Sequence, residues 1–152
     1  MSQFKLSQRS LSNLEGVHPY LVGVVKRAIE LTKVDFGVIE GLRTPESQRD
    51  LVLSGASQTM FSKHIEGEAV DLMAYIGPRA SWELNLYDDI ADAMKKAATE
   101  LQVPIRWGGA WNVLDIRDWD GNMYSAMNHY IDTRRSQGRK PFIDGPHFEI
   151  SI

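Results

Sequence analysis

Two histidines and two aspartates lie in short motifs that could bind a metal ion and hydrolyse a bond. His64 and Asp71 are seven residues apart in SKHIEGEAVDLM (residues 62–73), and the C-terminal stretch IDGPHFEI carries Asp144 and His147. Because the chain contains no cysteine, any transition-metal site must use His, Asp or Glu. A carboxylate such as Asp71 is costly to bury alone within an apolar run, so we expect it to have a charged partner.

The spacing between His64 and Asp71 excludes one regular element as the source of both side chains. On a straight strand the two would lie about 23 Å apart, and on one helix about 10.5 Å apart along the axis. Gly67 lies between them and can adopt the positive φ angle of a tight turn. A loop can therefore present His64 and the next strand Asp71, although this stretch alone also allows a simple surface salt bridge.

The C-terminal motif supplies a third candidate ligand. His147 begins a predicted strand on which His147 and Glu149 share one face, while Phe148 and Ile150 share the other. Two histidines and one carboxylate form the ligand set of a catalytic zinc site, with a fourth position open. Asp144 is then placed as a general base, with Glu149 as the alternative base or as the acceptor for the second ring N–H of His147. A histidine at the core edge, bonded to the backbone, remains the simpler alternative for His147.

The composition limits the class of protein. A length of 152 residues with no repeat, low-complexity segment or linker predicts one domain spanning 1–152. The net charge of −3 indicates no nucleic-acid partner, and no apolar stretch approaches the roughly 18 residues of a membrane span. The N-terminal MSQFKLSQRSLSN has no apolar signal core, so we expect synthesis in a cytoplasm without a signal peptide.

The elements that must position these residues mix helices and strands without regular βαβ alternation, which predicts an α+β fold. Apolar spacing and capping residues predict helices at 18–33, 44–55 and 82–101, and a further amphipathic helix within 123–131. Short apolar or alternating runs predict strands at 36–39, 68–75, 105–107 and 147–150.

The motifs resemble those of a known family. The pattern Ser62-x-His64-x-x-Gly67-x-Ala69-x-Asp71 is similar to the SxHxxGxAxD signature of the zinc D,D-carboxypeptidases of the VanX/VanY type. An acid-x-x-His motif follows near the C-terminus, and the resemblance also includes Arg43, Gln48 and the stretch RWGG at 106–109. It covers most of the chain and looks most like the phage endolysins of this family, the L-alanyl-D-glutamate peptidases.

The resemblance implies a small antiparallel sheet flanked by helices, as in hedgehog and D,D-peptidase folds. It implies Zn²⁺ on His64, Asp71 and His147, with Asp144 as the catalytic acid and base. The implied function is a zinc endopeptidase that cleaves the L-Ala–D-Glu bond of the peptidoglycan stem peptide and lyses a bacterial host. The alternatives are a D-alanyl-D-alanine carboxypeptidase and a zinc-bearing binding module without catalysis.

Three further residues are candidates for substrate contact. Arg43 directly precedes a predicted helix cap, where a rigid element can aim its guanidinium at an oxyanion or a substrate carboxylate. The resemblance adds Gln48, five residues on, and Ser62 as substrate-binding candidates, whereas an ordinary surface arginine and a turn-capping serine are the simpler interpretations. Ala110 departs from the family pattern, in which an acid often follows the paired glycines, and this leaves fine specificity open.

The segment between Trp111 and Asp144 has no assigned role. It carries four positive charges with no acid between them, namely Arg134, Arg135, Arg139 and Lys140. These residues are either a solvated helix end, where cations are favourable, or a basic rim that attracts the carboxylate-rich peptides of peptidoglycan. His129 in the same segment is a rival third metal ligand.

The resemblance also predicts partners and location. Peptidoglycan is the expected partner, and we expect a monomer that binds no nucleic acid and does not span a membrane. An enzyme made in the host cytoplasm would reach the wall in the periplasm after a holin-type protein breaches the membrane.

Overall fold

The computed structural model describes residues 4–57 and 62–151. The helices are α1 (Gln8–Asn13), α2 (Pro19–Leu31), α3 (Pro45–Leu53), α4 (Leu84–Leu101) and α5 (Met123–Ser136), with a 3₁₀ turn at Ile116–Asp118. The strands are β1 (Asp35–Glu40), β2 (Ala69–Ile76), β3 (Arg79–Ser81), β4 (Ile105–Trp107) and β5 (His147–Ile150). The predicted α+β class is confirmed.

The strands form one antiparallel sheet in the order β1-β2-β5-β4, and β3 pairs with the far end of β2. Alternation of side chains gives this sheet two different faces. Val70 and Leu72 of β2 and Phe148 of β5 are fully buried in the core. Asp71 and His147 point to the opposite face, and they are direct cross-strand partners in the β2–β5 ladder. The direct neighbours of Asp71 in the apolar run, Val70 and Leu72, are therefore on the core side of a strand whose other side carries the site.

A bulge in β1 brings a third charged residue to this face. Val38 pairs with Leu72, but the next partner of β2 is Glu40 opposite Asp71, so the register shifts by one residue. Val38 faces the core, and regular alternation would send Glu40 to the core as well. The extra residue instead lets Glu40 reach the side of the sheet that carries Asp71, which is a common use of bulges.

Helices cover the core side of the sheet. Helix α2 packs against α4, and α4 packs against α5. Leu21, Val25 and Ala28 of α2 are fully buried, as their helical spacing predicts. The start of α3 also follows the sequence, because the Thr44 hydroxyl accepts a hydrogen bond from the Ser47 N–H at 3.1 Å.

Some element boundaries and short elements differ from the predictions. Helix α4 begins at Leu84, two residues after the predicted start, because its N-cap residue Glu83 has an extended backbone. Helix α1, strand β3 and the 3₁₀ turn were not predicted, and α5 continues to Ser136. No helix within 4–57 or 62–151 has both the length and the apolar character needed to cross a bilayer.

Candidate active site

Three side chains converge on one point of the sheet face opposite the core. The Nε2 atom of His64 lies 3.2 Å from Oδ1 of Asp71, and the Nδ1 atom of His147 lies 3.4 Å from the same oxygen. The two imidazole rings are 5.1 Å apart and nearly perpendicular. One ligand atom from each of the three residues lies within 4.8 Å of the others, so the cluster could hold a metal ion.

The far side of each imidazole has a hydrogen-bond acceptor. Nδ1 of His64 lies 2.9 Å from the carbonyl oxygen of Gly41, and Nε2 of His147 lies 2.8 Å from Oε1 of Glu149. In the neutral ring, each of these contacts holds the proton on the nitrogen that faces away from Asp71, so that the other nitrogen can bind a metal. The sequence predicted such acceptors, and it predicted Glu149 as the one for His147.

The loop that presents His64 depends on close backbone contacts. Gly67 has a φ of +72°, and a Cβ on it would overlap the carbonyl oxygen of Gly16. Its own carbonyl accepts a 2.8 Å hydrogen bond from the His18 N–H. The turn predicted at Gly67 is therefore present, and it returns the chain from the His64 loop into β2.

The turn that carries Asp144 and His147 is held by the residues that follow β4. The Gly108 N–H donates to the carbonyl oxygen of His147 at 2.8 Å, and the Gly108 carbonyl accepts from the Asp144 N–H at 2.9 Å. The indole N–H of Trp107 donates to the Gly145 carbonyl at 2.7 Å. Because a Cβ at Gly108 would overlap the Asp144 backbone, only glycine permits this contact. The stretch WGG therefore positions the acid-x-x-His turn.

Charge within the cluster is strongly coupled. Burial alone would raise the pKa of Asp71, but hydrogen bonds from His147 and His64 outweigh it and hold that pKa well below its usual range. Burial would likewise lower the pKa of His147, yet hydrogen bonds to Asp71 and Glu149 raise it to about 9. Without a metal ion, His147 is therefore a cation between two carboxylates near neutral pH.

Asp144 lines the same cleft but is not one of the three clustered ligands. Burial and the neighbouring negative charge of Asp71 raise the pKa of Asp144 above its usual value. An acid that has a raised pKa and lies beside a group of metal-binding side chains can act as a proton acceptor and donor.

Arg43 lies at the edge of the cluster with most of its donors occupied. Its Nε and Nη2 atoms contact the two carboxylate oxygens of Glu40 at 2.5 and 2.8 Å, and Nη2 lies 3.6 Å from Oδ2 of Asp71. Nη1 donates to Oε1 of Gln48 at 2.5 Å and contacts the Ser62 hydroxyl at 3.5 Å. The structure thus brings together Arg43, Gln48 and Ser62, which the sequence selected separately.

Glu40 is a functional residue that the sequence analysis missed. The only local signal is its spacing of three residues from Arg43, and its direction depends on the β1 bulge. Gln48 also differs from expectation, since its side chain is fully buried, donates to the Ser57 hydroxyl at 2.8 Å and does not line the cleft. Its contact with the site is a hydrogen bond accepted from the Arg43 guanidinium.

The cluster opens into a cleft of about 750 Å³. Aromatic rings continue one wall of the cleft from His147. The ring centroids of Trp111 and His147 are 5.2 Å apart, and those of Phe142 and Trp111 are 6.4 Å apart. Arg134 lines the cleft beyond Phe142, whereas His129 lies in a different hollow against Trp119. His129 is therefore no rival for the third ligand position.

The chain is similar to a set of bacteriophage and bacterial peptidases. Residues 1–151 match the family model described as phage L-alanyl-D-glutamate peptidase. Over 113 residues the chain is 34% identical to the L-alanyl-D-glutamate peptidase of Escherichia phage T5, covering 72% of this chain and 82% of that protein. It is 29% identical over 107 residues to the L-alanyl-D-glutamate peptidase of Listeria phage A118, covering 68% of this chain and 37% of that protein.

A solved structure has the same fold. The crystal structure of the Serratia marcescens L-Ala D-Glu endopeptidase ChiX superposes with a TM-score of 0.72 and 36% sequence identity. The superposition covers 96% of this chain and 90% of that one. The similarity therefore extends over nearly the whole of this chain.

Proposed function

This chain belongs to the phage L-alanyl-D-glutamate peptidase family, and on that premise we propose that it is an endolysin that hydrolyses the L-Ala–D-Glu bond of the peptidoglycan stem peptide with the help of zinc. The observation that carries the residue assignment is the convergence of His64, Asp71 and His147 within one cleft. The family match over residues 1–151 supports treating 1–152 as one peptidase domain.

Zinc suits the donor set of this cluster. Two imidazole nitrogens and one carboxylate oxygen are the three protein ligands of many catalytic zinc sites, and they leave one position open. The contacts of His64 with Gly41 and of His147 with Glu149 orient both rings for binding. When bound there, zinc supplies a Lewis acid for the scissile carbonyl and lowers the pKa of water toward neutrality.

Asp144 is the proposed carrier of the proton. It accepts a proton from the attacking water as the new bond to the carbonyl carbon forms. It then gives that proton to the amino group of D-glutamate as the C–N bond breaks. The raised pKa of Asp144 favours its holding the proton between the two steps.

Arg43 is proposed to stabilise the negative charge that develops on the scissile carbonyl oxygen or a substrate carboxylate. Glu40 and Gln48 fix its guanidinium at the cleft, so little reorganisation is needed when a substrate binds. Ser62 lines the cleft beside Arg43 and is proposed to hydrogen-bond the substrate backbone. Gln48 contributes through Arg43.

Product analysis of digested peptidoglycan tests this function. Purified protein is incubated with isolated walls, and the new amino termini and released amino acids are identified. A new amino group on D-glutamate is the expected result. Released D-alanine would instead support the D-alanyl-D-alanine carboxypeptidase, and an unchanged wall would support a binding module without catalysis.

We also propose that the enzyme acts as a monomer on the wall in the periplasm and depends on a holin-type protein for access. The peptidoglycan substrate supports the location and the need for access, because the wall lies outside the membrane that encloses the site of synthesis. Expression of the chain in a bacterial host with and without a holin tests the dependence. Lysis is expected only when both are present, and sedimentation of the pure protein measures its oligomeric state.

A further inference from the structure

We propose that Arg134 forms a subsite for a carboxylate of the stem peptide, separate from the metal centre and from Arg43. This inference rests on the proposed function, since it assigns part of the cleft to an acidic peptide substrate. It gives a role to one residue of the basic segment that the metal chemistry does not use.

Arg134 is distinguished from its basic neighbours by position. Of the four cations at the end of α5 and in the loop after it, only Arg134 lines the cleft that contains His64, Asp71 and His147. Arg135, Arg139 and Lys140 are exposed to solvent. The basic segment is thus not a uniform rim, because a single guanidinium from it faces the catalytic cleft.

The guanidinium of Arg134 is held in place by Tyr130 of α5 and by Lys140 in the loop after this helix. Its Nε and Nη2 atoms donate to the backbone carbonyl of Lys140 at 3.3 and 3.1 Å. The guanidinium carbon also lies 6.0 Å from the centre of the Tyr130 ring. These contacts involve one edge of the planar group and leave Nη1 without a hydrogen bond to any residue in 4–57 or 62–151.

None of the four acids that line the cleft lies at ion-pair distance from Arg134, and three of them contact other side chains. Glu40 binds Arg43, and Glu149 binds His147 and lies 3.6 Å from Lys63. Within the described part of the chain, Arg134 has no acidic partner at ion-pair distance. It is therefore an anchored cation whose charge is uncompensated, and a planar guanidinium of this kind is suited to binding a carboxylate.

An aromatic wall joins Arg134 to the metal centre. Trp111 packs against His147, Phe142 packs against Trp111, and the Phe142 N–H donates to the Tyr130 hydroxyl at 3.2 Å. Tyr130 in turn lies under Arg134. A peptide lying along this wall with its scissile bond at the cluster would have a neighbouring residue beside Arg134.

The stem peptide carries free carboxylates in the required region. D-glutamate retains its α-carboxylate when it is linked through its γ-carbonyl, and the next residue carries another where it is a diamino dicarboxylic acid. Either group has the charge and planar geometry that Arg134 binds. An experiment with selectively amidated peptides identifies which one is bound.

The experiment measures kcat/KM for three stem peptides: one fully acidic, one amidated at the D-glutamate α-carboxylate and one amidated at the diamino acid carboxylate. Each is tested with the wild type, Arg134→Ala, Arg134→Lys and the matched control Arg135→Ala, which removes a charge from the same helix outside the cleft. We expect Arg134→Ala to lower kcat/KM for the acidic peptide about tenfold, mainly through KM, as for loss of one charged hydrogen bond. Arg134→Lys should recover part of this loss, and Arg135→Ala should remain within about twofold of the wild type.

The amidated peptides decide the outcome. Amidation of the bound carboxylate should lower kcat/KM of the wild type about tenfold and cause no further loss in Arg134→Ala. Equal losses in Arg134→Ala and Arg135→Ala, or equal sensitivity of the wild type and Arg134→Ala to both amidations, would overturn the subsite. If the wild type cleaves none of the peptides, the proposed function fails. Calorimetry with the acidic peptide then tests the subsite alone. The subsite requires weaker binding in Arg134→Ala than in the wild type, and unchanged binding would overturn it.

Discussion

Asp71 links the two candidate metal-binding histidines to Arg43. Its carboxylate contacts both candidate metal-binding histidines through one oxygen and Arg43 through the other. A half-buried carboxylate with three cationic or metal-binding neighbours is stabilised in its charged form, as expected for an acid beside an apolar run. The same contacts mean that residues around Asp71 cannot be changed independently of one another.

Asp144→Asn separates proton transfer from metal binding. The amide has nearly the same shape as the carboxylate but cannot accept a proton, so kcat should fall by about 10²–10⁴-fold while the zinc content is unchanged. Steady-state kinetics and metal analysis of the same preparation measure both quantities. Glu149→Gln is the control, since Glu149 is the other acid near His147. Full activity in Asp144→Asn together with inactivity in Glu149→Gln would identify Glu149 as the base.

Zinc binding should release a proton near neutral pH. The pKa of His147 is raised to about 9 in the metal-free protein, so this ring is protonated below that pH and must lose a proton to bind a metal. The apparent zinc affinity should consequently fall up to about tenfold for each pH unit below that pKa. Calorimetry at pH 7.5 in buffers with different ionisation enthalpies measures the released protons. No proton release would contradict the coupling, and Glu149→Gln should reduce the release because it removes one contact that raises this pKa.

At the scale of elements, the site depends on the register of the sheet and on one turn. The β2–β5 ladder places His147 opposite Asp71, and the bulge in β1 places Glu40 opposite Asp71 from the other side. The turn before β5 has its own hydrogen bond from the His147 N–H to the Asp144 carbonyl, and Gly108 and Trp107 hold it from outside. The catalytic geometry is therefore determined by contacts between distant parts of the chain.

Gly108→Ala tests the role of this turn. The new methyl group would overlap the Asp144 backbone, so we expect a loss of about 1–3 kcal/mol in the free energy of unfolding and a lower kcat. Gly23→Ala in α2 is the matched control, since its Cβ would lie 3.8 Å from Leu101 in ordinary contact, and a helix favours alanine. Denaturant unfolding measures both variants. Equal stability and activity of Gly108→Ala and the wild type would show that the turn tolerates displacement.

The local patterns predicted most of the elements but few of the contacts between them. Helices α2 and α4 and strands β2, β4 and β5 follow from apolar spacing, which is a property of neighbouring residues. The short helix α1 and the three-residue strand β3 carry too little periodicity to be recognised. The bulge at Glu40 and the contact of Gly108 with Asp144 depend on pairing between segments far apart in sequence, so no local pattern indicates them.

At the scale of the whole molecule, the fold divides the sheet between stability and chemistry. One face packs under α2 and α4 as the apolar core, while the other presents the charged residues of β1, β2 and β5 to the cleft. The cleft carries cations in addition to the metal-binding cluster, which suits a peptide that bears several carboxylates. The chain thus combines a cluster that could hold a metal ion with a cationic cleft, an arrangement that suits a peptidase acting on peptidoglycan.

Metal analysis combined with activity measurements tests whether the protein holds a zinc ion that its peptidase activity requires. The protein is purified, stripped with a chelator and reloaded, and its zinc content and release of D-glutamate amino groups from walls are measured at each stage. We expect one zinc per chain, loss of activity on stripping and recovery on reloading, with neither zinc nor activity in His64→Ala or His147→Ala. Full activity of the stripped protein, or an undiminished zinc content in both histidine variants, would contradict this expectation.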